Sequence, residues 1–93
     1  MKNDDIREYV EYMDKADGIL YIAEKLYLEL MNRQEALKKY SQAMDLYRLA
    51  EMHANQINNS ILEHRAHERK AYCEQQIEKI TALIKLEKNE KIK

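Results

Sequence analysis

Ala36, Tyr40, Ala43, Tyr47, Ala50, Ala54 and Ile57 recur at alternating spacings of four and three, and this stripe constrains the chain more than any other feature. The period places a small and aromatic pattern on one face of a helix. Alanine lets a neighbouring helix approach closely, while tyrosine fills the space above and below it. Such a stripe belongs to a helix packed tightly against an antiparallel partner. It is a packing signature rather than a catalytic one.

Two further amphipathic segments flank it. In the first, Ile6, Tyr9 or Val10, Met13, Ala16, Leu20, Ala23, Tyr27 and Leu30 hold one seam, and Asp4 or Asp5 suits its N-terminal end. Gly18 interrupts this run at a cost of roughly 1 kcal/mol relative to alanine, which a long packed helix tolerates. In the third segment the seam reads Leu62, Ala66, Arg69, Cys73, Ile77, Ile80 and Ile84, out of phase with the stripe that ends at Ile57. That phase break, the helix-poor stretch Asn55 to Ser60 and the capping-box spacing of Ser60 and Glu63 place a bend between the second and third segments. One unbroken helix over 34–88 is the alternative, since neither Gly nor Pro enforces the bend.

A chain of 93 residues with one Gly, no Pro and 35% charged residues has little material for hairpins or long loops. The expectation is an all-α, antiparallel three-helix bundle with helices at about 4–31, 34–56 and 60–88. It forms a single domain over 1–93, with a frayed basic tail at 88–93. The net charge of −1 argues against a dedicated nucleic-acid binder. Residues 1–33 hold eight acids against five bases and residues 60–93 six against eight, which favours the first and last helices as neighbours. A single cysteine excludes an internal disulfide, no apolar run approaches a membrane span, and the acidic, polar start does not read as a secretory signal. A cytosolic protein or domain is expected.

The residues with chemical potential are scattered. His64 and His67 lie one turn apart, His53 lies across the bend and Cys73 lies further along the third helix. Zinc needs three or four converging ligands, so no metal or other cofactor is expected. Cys73 falls on a core-facing seam, where thiols are inert packing groups. With no phosphate-binding loop and no nucleophile elbow, an enzyme is not expected.

The segment EALKKYSQAMDLYRLA, residues 35–50, resembles the MIT domain, the three-helix microtubule-interacting and trafficking module, through Tyr40, Ala43, Tyr47 and Ala50. CEQQIEKITAL, residues 73–83, is similar to that family's third helix at Cys73, Gln75, Ile77, Glu78, Lys79 and Leu83, and Ala16 and Ala23 fit its first. A one-residue offset in the first hairpin and about five extra residues between the second and third helices depart from the pattern. The first hairpin also looks like one tetratricopeptide unit, although Glu24 stands where that repeat prefers Gly and no second copy follows.

The MIT resemblance implies a monomeric protein-binding adaptor that takes an amphipathic helical tail of an ESCRT-III-like protein into an inter-helix groove. Such a module serves membrane trafficking or autophagy and is brought to endosomal membranes through its partners. Carried over, Ile77 sits in the central pocket with Ile80 beside it, and Glu78 faces basic residues of the ligand. Met44, an adaptable side chain on the helix face, and Tyr47 are added to the partner-binding set from their place on the face of the second helix. Thr81 stands where the family often has a second acid. Read from spacing alone, Ile77, Ile80 and Ile84 are more often core than ligand pocket, and the same holds for Met44 and Tyr47. The alternative function is a small bacterial secretion chaperone or assembly subunit, a helical hairpin obligately paired with a partner. A self-associating coiled-coil subunit is a third.

Overall fold

A computed structural model describes residues 2–92, with side-chain environments for residues 4–89. Three helices follow one another: α1 (Lys2–Leu28), α2 (Arg33–Gln56) and α3 (Ser60–Ile92). The described residues contain no strand. Short turns make successive helices antiparallel neighbours, and α2 lies between the other two as the main packing partner of both. The bundle measures 57 × 19 × 15 Å, its length set by α3, whose 33 residues span roughly 50 Å at the helical rise.

α1 passes through Gly18 without a break, as the sequence suggests, and Asp4 and Asp5 in its first turn complement the helix dipole. It ends at Leu28 rather than near residue 31. The Leu30 amide bonds back to the Lys25 carbonyl at 3.1 Å and the Asn32 amide to Leu26 at 2.8 Å, while Met31 takes a left-handed φ of 54°. Leu30 is therefore exposed instead of continuing the seam. The Asn32 side chain then caps α2 by accepting from the Glu35 amide at 3.2 Å.

α2 and α3 are separate helices. Asn58, at φ 56°, closes α2 in a Schellman arrangement: its amide reaches the Asn55 carbonyl and that of Asn59 the Ala54 carbonyl, each at 3.0 Å. The cap of α3 is Asn59, whose Oδ1 accepts from the Leu62 amide at 3.1 Å. This corrects the capping box expected from Ser60, which is already the first helical residue, while the Glu63 carboxylate accepts from Asn55 Nδ2 at 2.8 Å. α3 continues to Ile92 instead of stopping near 88.

The six Ala and Tyr residues of the α2 stripe are fully buried, joined by Tyr9, Met13, Ala16 and Ala23 of α1 and Ala66, Cys73 and Ile80 of α3. Ile57, the C-cap, is only partly buried. At the start of α1, Asp5 turns toward α2 to meet His53, which leaves Ile6 exposed, and Tyr9 rather than Val10 enters the core. Burying tyrosines requires acceptors for their hydroxyls. Tyr47 donates to Asp17 Oδ1 at 2.5 Å, and Arg69 of α3 donates to both oxygens of the same carboxylate at 3.2 Å. Seven residues on, Glu24 accepts from Tyr40 at 2.7 Å and from Tyr72. Each node joins all three helices. Tyr9 adds a bond to the Leu62 carbonyl at 3.0 Å. Among the described residues no buried side-chain nitrogen or oxygen lacks a partner.

Candidate functional site

The seam between α2 and α3, on the side away from α1, is a ladder with a seven-residue step. Near the Asn55–Glu63 contact, Lys70 donates to Glu51 Oε1 at 2.7 Å, and His67 Nδ1 lies 2.8 Å from Glu51 Oε2. Seven residues back along α2 and seven forward along α3 come Met44 and Ile77; a further seven bring Leu37 and Ile84. All four are partly buried against the core. The Arg33–Glu87 ion pair closes the other end. The seam therefore has two apolar rungs, about 10 Å apart by helical rise, between charged closures, and Glu78 stands exposed beside Ile77.

Of the partner-binding residues expected from the sequence, Met44, Ile77 and Glu78 come together here. Tyr47 and Ile80 do not: both are fully buried, Tyr47 in its bond to Asp17 and Ile80 within the core cluster, and neither offers surface to a ligand. Leu37, seven residues before Met44 on the flank of the stripe, joins Met44 and Ile77 although the spacing of the stripe alone does not mark it. Thr81 is half-buried on the same side of α3.

The electrostatics of the seam are those of a closed edge. Burial works to raise the Glu51 carboxyl, but hydrogen bonds from Lys70 and His67 outweigh it and hold the group below the ordinary carboxylate value. Burial, reinforced by nearby Glu24, pushes the Cys73 thiol up to about 11, so at neutral pH it is a protonated packing group.

The histidines are dispersed among separate partners. His64 pairs with Glu68 on its own helix at 2.5 Å, and His67 with Glu51. His53 has Nδ1 at 2.9 Å from Asp5 and Nε2 at 2.9 Å from Glu8, with its ring stacked on Tyr12 at 5.5 Å between centroids. The donor atoms of Asp5, Glu8 and His53 lie within 4.8 Å of one another. As arranged, with a carboxylate at each ring nitrogen, they clamp the first turns of α1 to the last turn of α2.

A cavity of about 520 Å³ opens at the far end, where Leu30, Met31, Asn32 and Arg33 of the α1–α2 turn face Ile84 and Glu87. No helix among the described residues is long and apolar enough to cross a membrane. No family model matches this chain, and neither a curated protein nor a solved structure matches it.

Proposed function

We propose that this chain is an MIT-like adaptor that receives an amphipathic helical tail, of the ESCRT-III-like kind, along the α2–α3 seam, linking a host protein to membrane remodelling or autophagic traffic. The observation that carries this reading is the paired apolar step of Met44 with Ile77 and Leu37 with Ile84 between charged closures. Helix-in-groove recognition places anchors at i, i+3, i+4 and i+7, and two rungs seven residues apart match that repeat. Glu78 on the rim gives a basic ligand residue a partner that affects rate and specificity more than affinity. The ligand would fill the seam beside the fully buried core, so it adds apolar contact without opening the bundle.

The test is calorimetric titration with a synthetic amphipathic helix carrying leucines at i, i+3 and i+7 and flanking lysines. Ile77→Asp is expected to abolish binding while leaving the thermal melt cooperative, because Ile77 sits at the edge of the core. Ala43→Leu, at a fully buried small position, overpacks by about 1–3 kcal/mol and serves as the destabilised comparison. Failure of the wild-type chain to bind overturns the reading, as does unfolding by Ile77→Asp. An obligate dimer in light scattering would turn the assignment toward a secretion chaperone or coiled-coil subunit.

A further inference from the structure

Three large apolar side chains stand together at one end of the long axis: Leu28, Leu30 and Met31, exposed by 68, 69 and 71%, with Leu86 of α3 exposed by 58% nearby. Single exposed apolar residues are ordinary, but a group on one apex is a patch. Met31 also holds the left-handed conformation that glycine or asparagine usually takes. The turn therefore keeps a bulky apolar residue at its tip where a smaller residue would fit the backbone better.

Charge is distributed to match. Around the tip, residues 25–39 and 85–89 supply Lys25, Arg33, Lys38, Lys39, Lys85 and Lys88 against Glu29, Glu35 and Glu87. Each of these acids is paired, with Lys25, Lys38 and Arg33 respectively, which leaves Lys39, Lys85 and Lys88 outside any ion pair among the described residues. At the opposite end, residues 4–17 carry Asp4, Asp5, Glu8, Glu11, Asp14 and Asp17 against Arg7 and Lys15. At the same level, residues 47–74 of α2 and α3 add Glu51, Glu63, Glu68 and Glu74 against Arg48, Arg65, Arg69 and Lys70, so this end is acidic by four charges and the tip is basic by three.

We infer that the Lys-rich end of the bundle docks onto an anionic lipid surface through Leu28, Leu30 and Met31. These side chains are exposed on the α1–α2 turn, beside the last turns of α3, which run on past the Arg33–Glu87 pair to Ile92. Lys25 lies one turn behind Leu28, where a basic residue meets lipid phosphates once the apolar tip is buried. The opposite end, which is net acidic, is repelled by the same surface. This inference is independent of the α2–α3 seam.

The experiment is co-sedimentation of the full chain with phosphatidylcholine vesicles and with vesicles containing about 30% phosphatidylserine. Partitioning onto the anionic vesicles should be at least about tenfold greater and should weaken as salt rises. The double change Leu30→Ser with Met31→Ser should abolish it without altering the melt, since both side chains are exposed. Lys85→Glu with Lys88→Glu should abolish it too, whereas Ile61→Ser, an exposed apolar position at the other end, should not. The chain has no tryptophan, so Met31→Trp supplies a reporter whose emission should shift to the blue only with anionic vesicles. Equal sedimentation with both vesicle types overturns the proposal, as does binding that survives loss of Leu30 and Met31. A dimer that the Leu30 and Met31 changes dissociate, with no vesicle binding, assigns the patch to a second copy and overturns it as well.

Discussion

Gly18→Ala should stabilise the protein, and its size follows from the geometry. Gly18 lies in the interior of α1, on an exposed face, with ordinary helical backbone. A Cβ built there meets nothing within 4 Å. The added methyl therefore has no steric cost, and the change acts through helix propensity and the reduced freedom of the unfolded chain. Both favour alanine, by about 0.8–1 kcal/mol in a helix interior. For a domain of this size each kcal/mol moves the midpoint by roughly 4–8 °C, so a rise of about 3–8 °C is expected. In urea the midpoint should rise by a few tenths of a molar to about 1 M with an unchanged slope. Circular dichroism melts of both proteins measure it directly. An unchanged or lowered midpoint would refute the reasoning, because it would mean that α1 bends at Gly18 in solution or that this face is covered by something a methyl displaces.

Two predictions concern pH. Burial and the bonds to Glu24 and Asp17 push the Tyr40 and Tyr47 phenols far above 10. Their contribution is complete below the unfolded phenol value and is lost as pH rises beyond it, so stability should fall from about pH 10 upward, at about 1.4 kcal/mol per unit for each fully coupled group. Tyr40→Phe should reduce that alkaline slope in denaturant melts; an unchanged slope contradicts the assignment. Glu51, held below its ordinary value, contributes stability present above the unfolded carboxylate value and lost as pH falls through the folded one. Glu51→Gln should flatten the acid limb below about pH 4.5, and equal acid sensitivity of the two proteins would show the Lys70 and His67 bonds to be absent in solution.

The fold was legible wherever one residue type carried the information. The α2 stripe specified its own burial because an alternating Ala and Tyr face has no other use, and the phase break after Ile57 placed the turn. Helix ends were less legible because they are settled by backbone geometry. Asn59 rather than Ser60 caps α3 once Asn58 adopts the left-handed conformation, and α1 stops at Leu28 because Met31 does the same in a residue with no such preference. The site was half legible. Met44, Ile77 and Glu78 share a seam, whereas Tyr47 and Ile80 point inward, and a period near 3.6 cannot separate the centre of a buried face from its edge. The level of each residue relative to a neighbouring helix decides that, and it emerges only when contacts such as Glu51–Lys70 set the register.

Register is also where the tyrosines matter most. A face of alternating Ala and Tyr packs nearly as well after a slip of one heptad, since Ala36, Ala43 and Ala50 are interchangeable in volume. The hydroxyls remove that degeneracy. Asp17 and Glu24 are seven residues apart on α1, matching the separation of Tyr40 and Tyr47 on α2, and antiparallel packing pairs the earlier acid with the later tyrosine. A heptad slip would leave one of the two buried tyrosines without an acceptor for its hydroxyl, at about 1–3 kcal/mol. Arg69 and Tyr72 then bring α3 to the same two carboxylates. The third helix is thereby registered against the first through shared acceptors, although the two pack less extensively with each other than with α2. The seam that brings Met44 level with Ile77 is held directly by the Glu51–Lys70 and Arg33–Glu87 pairs, and the Asp17 and Glu24 nodes add a second tie, from α3 to α1.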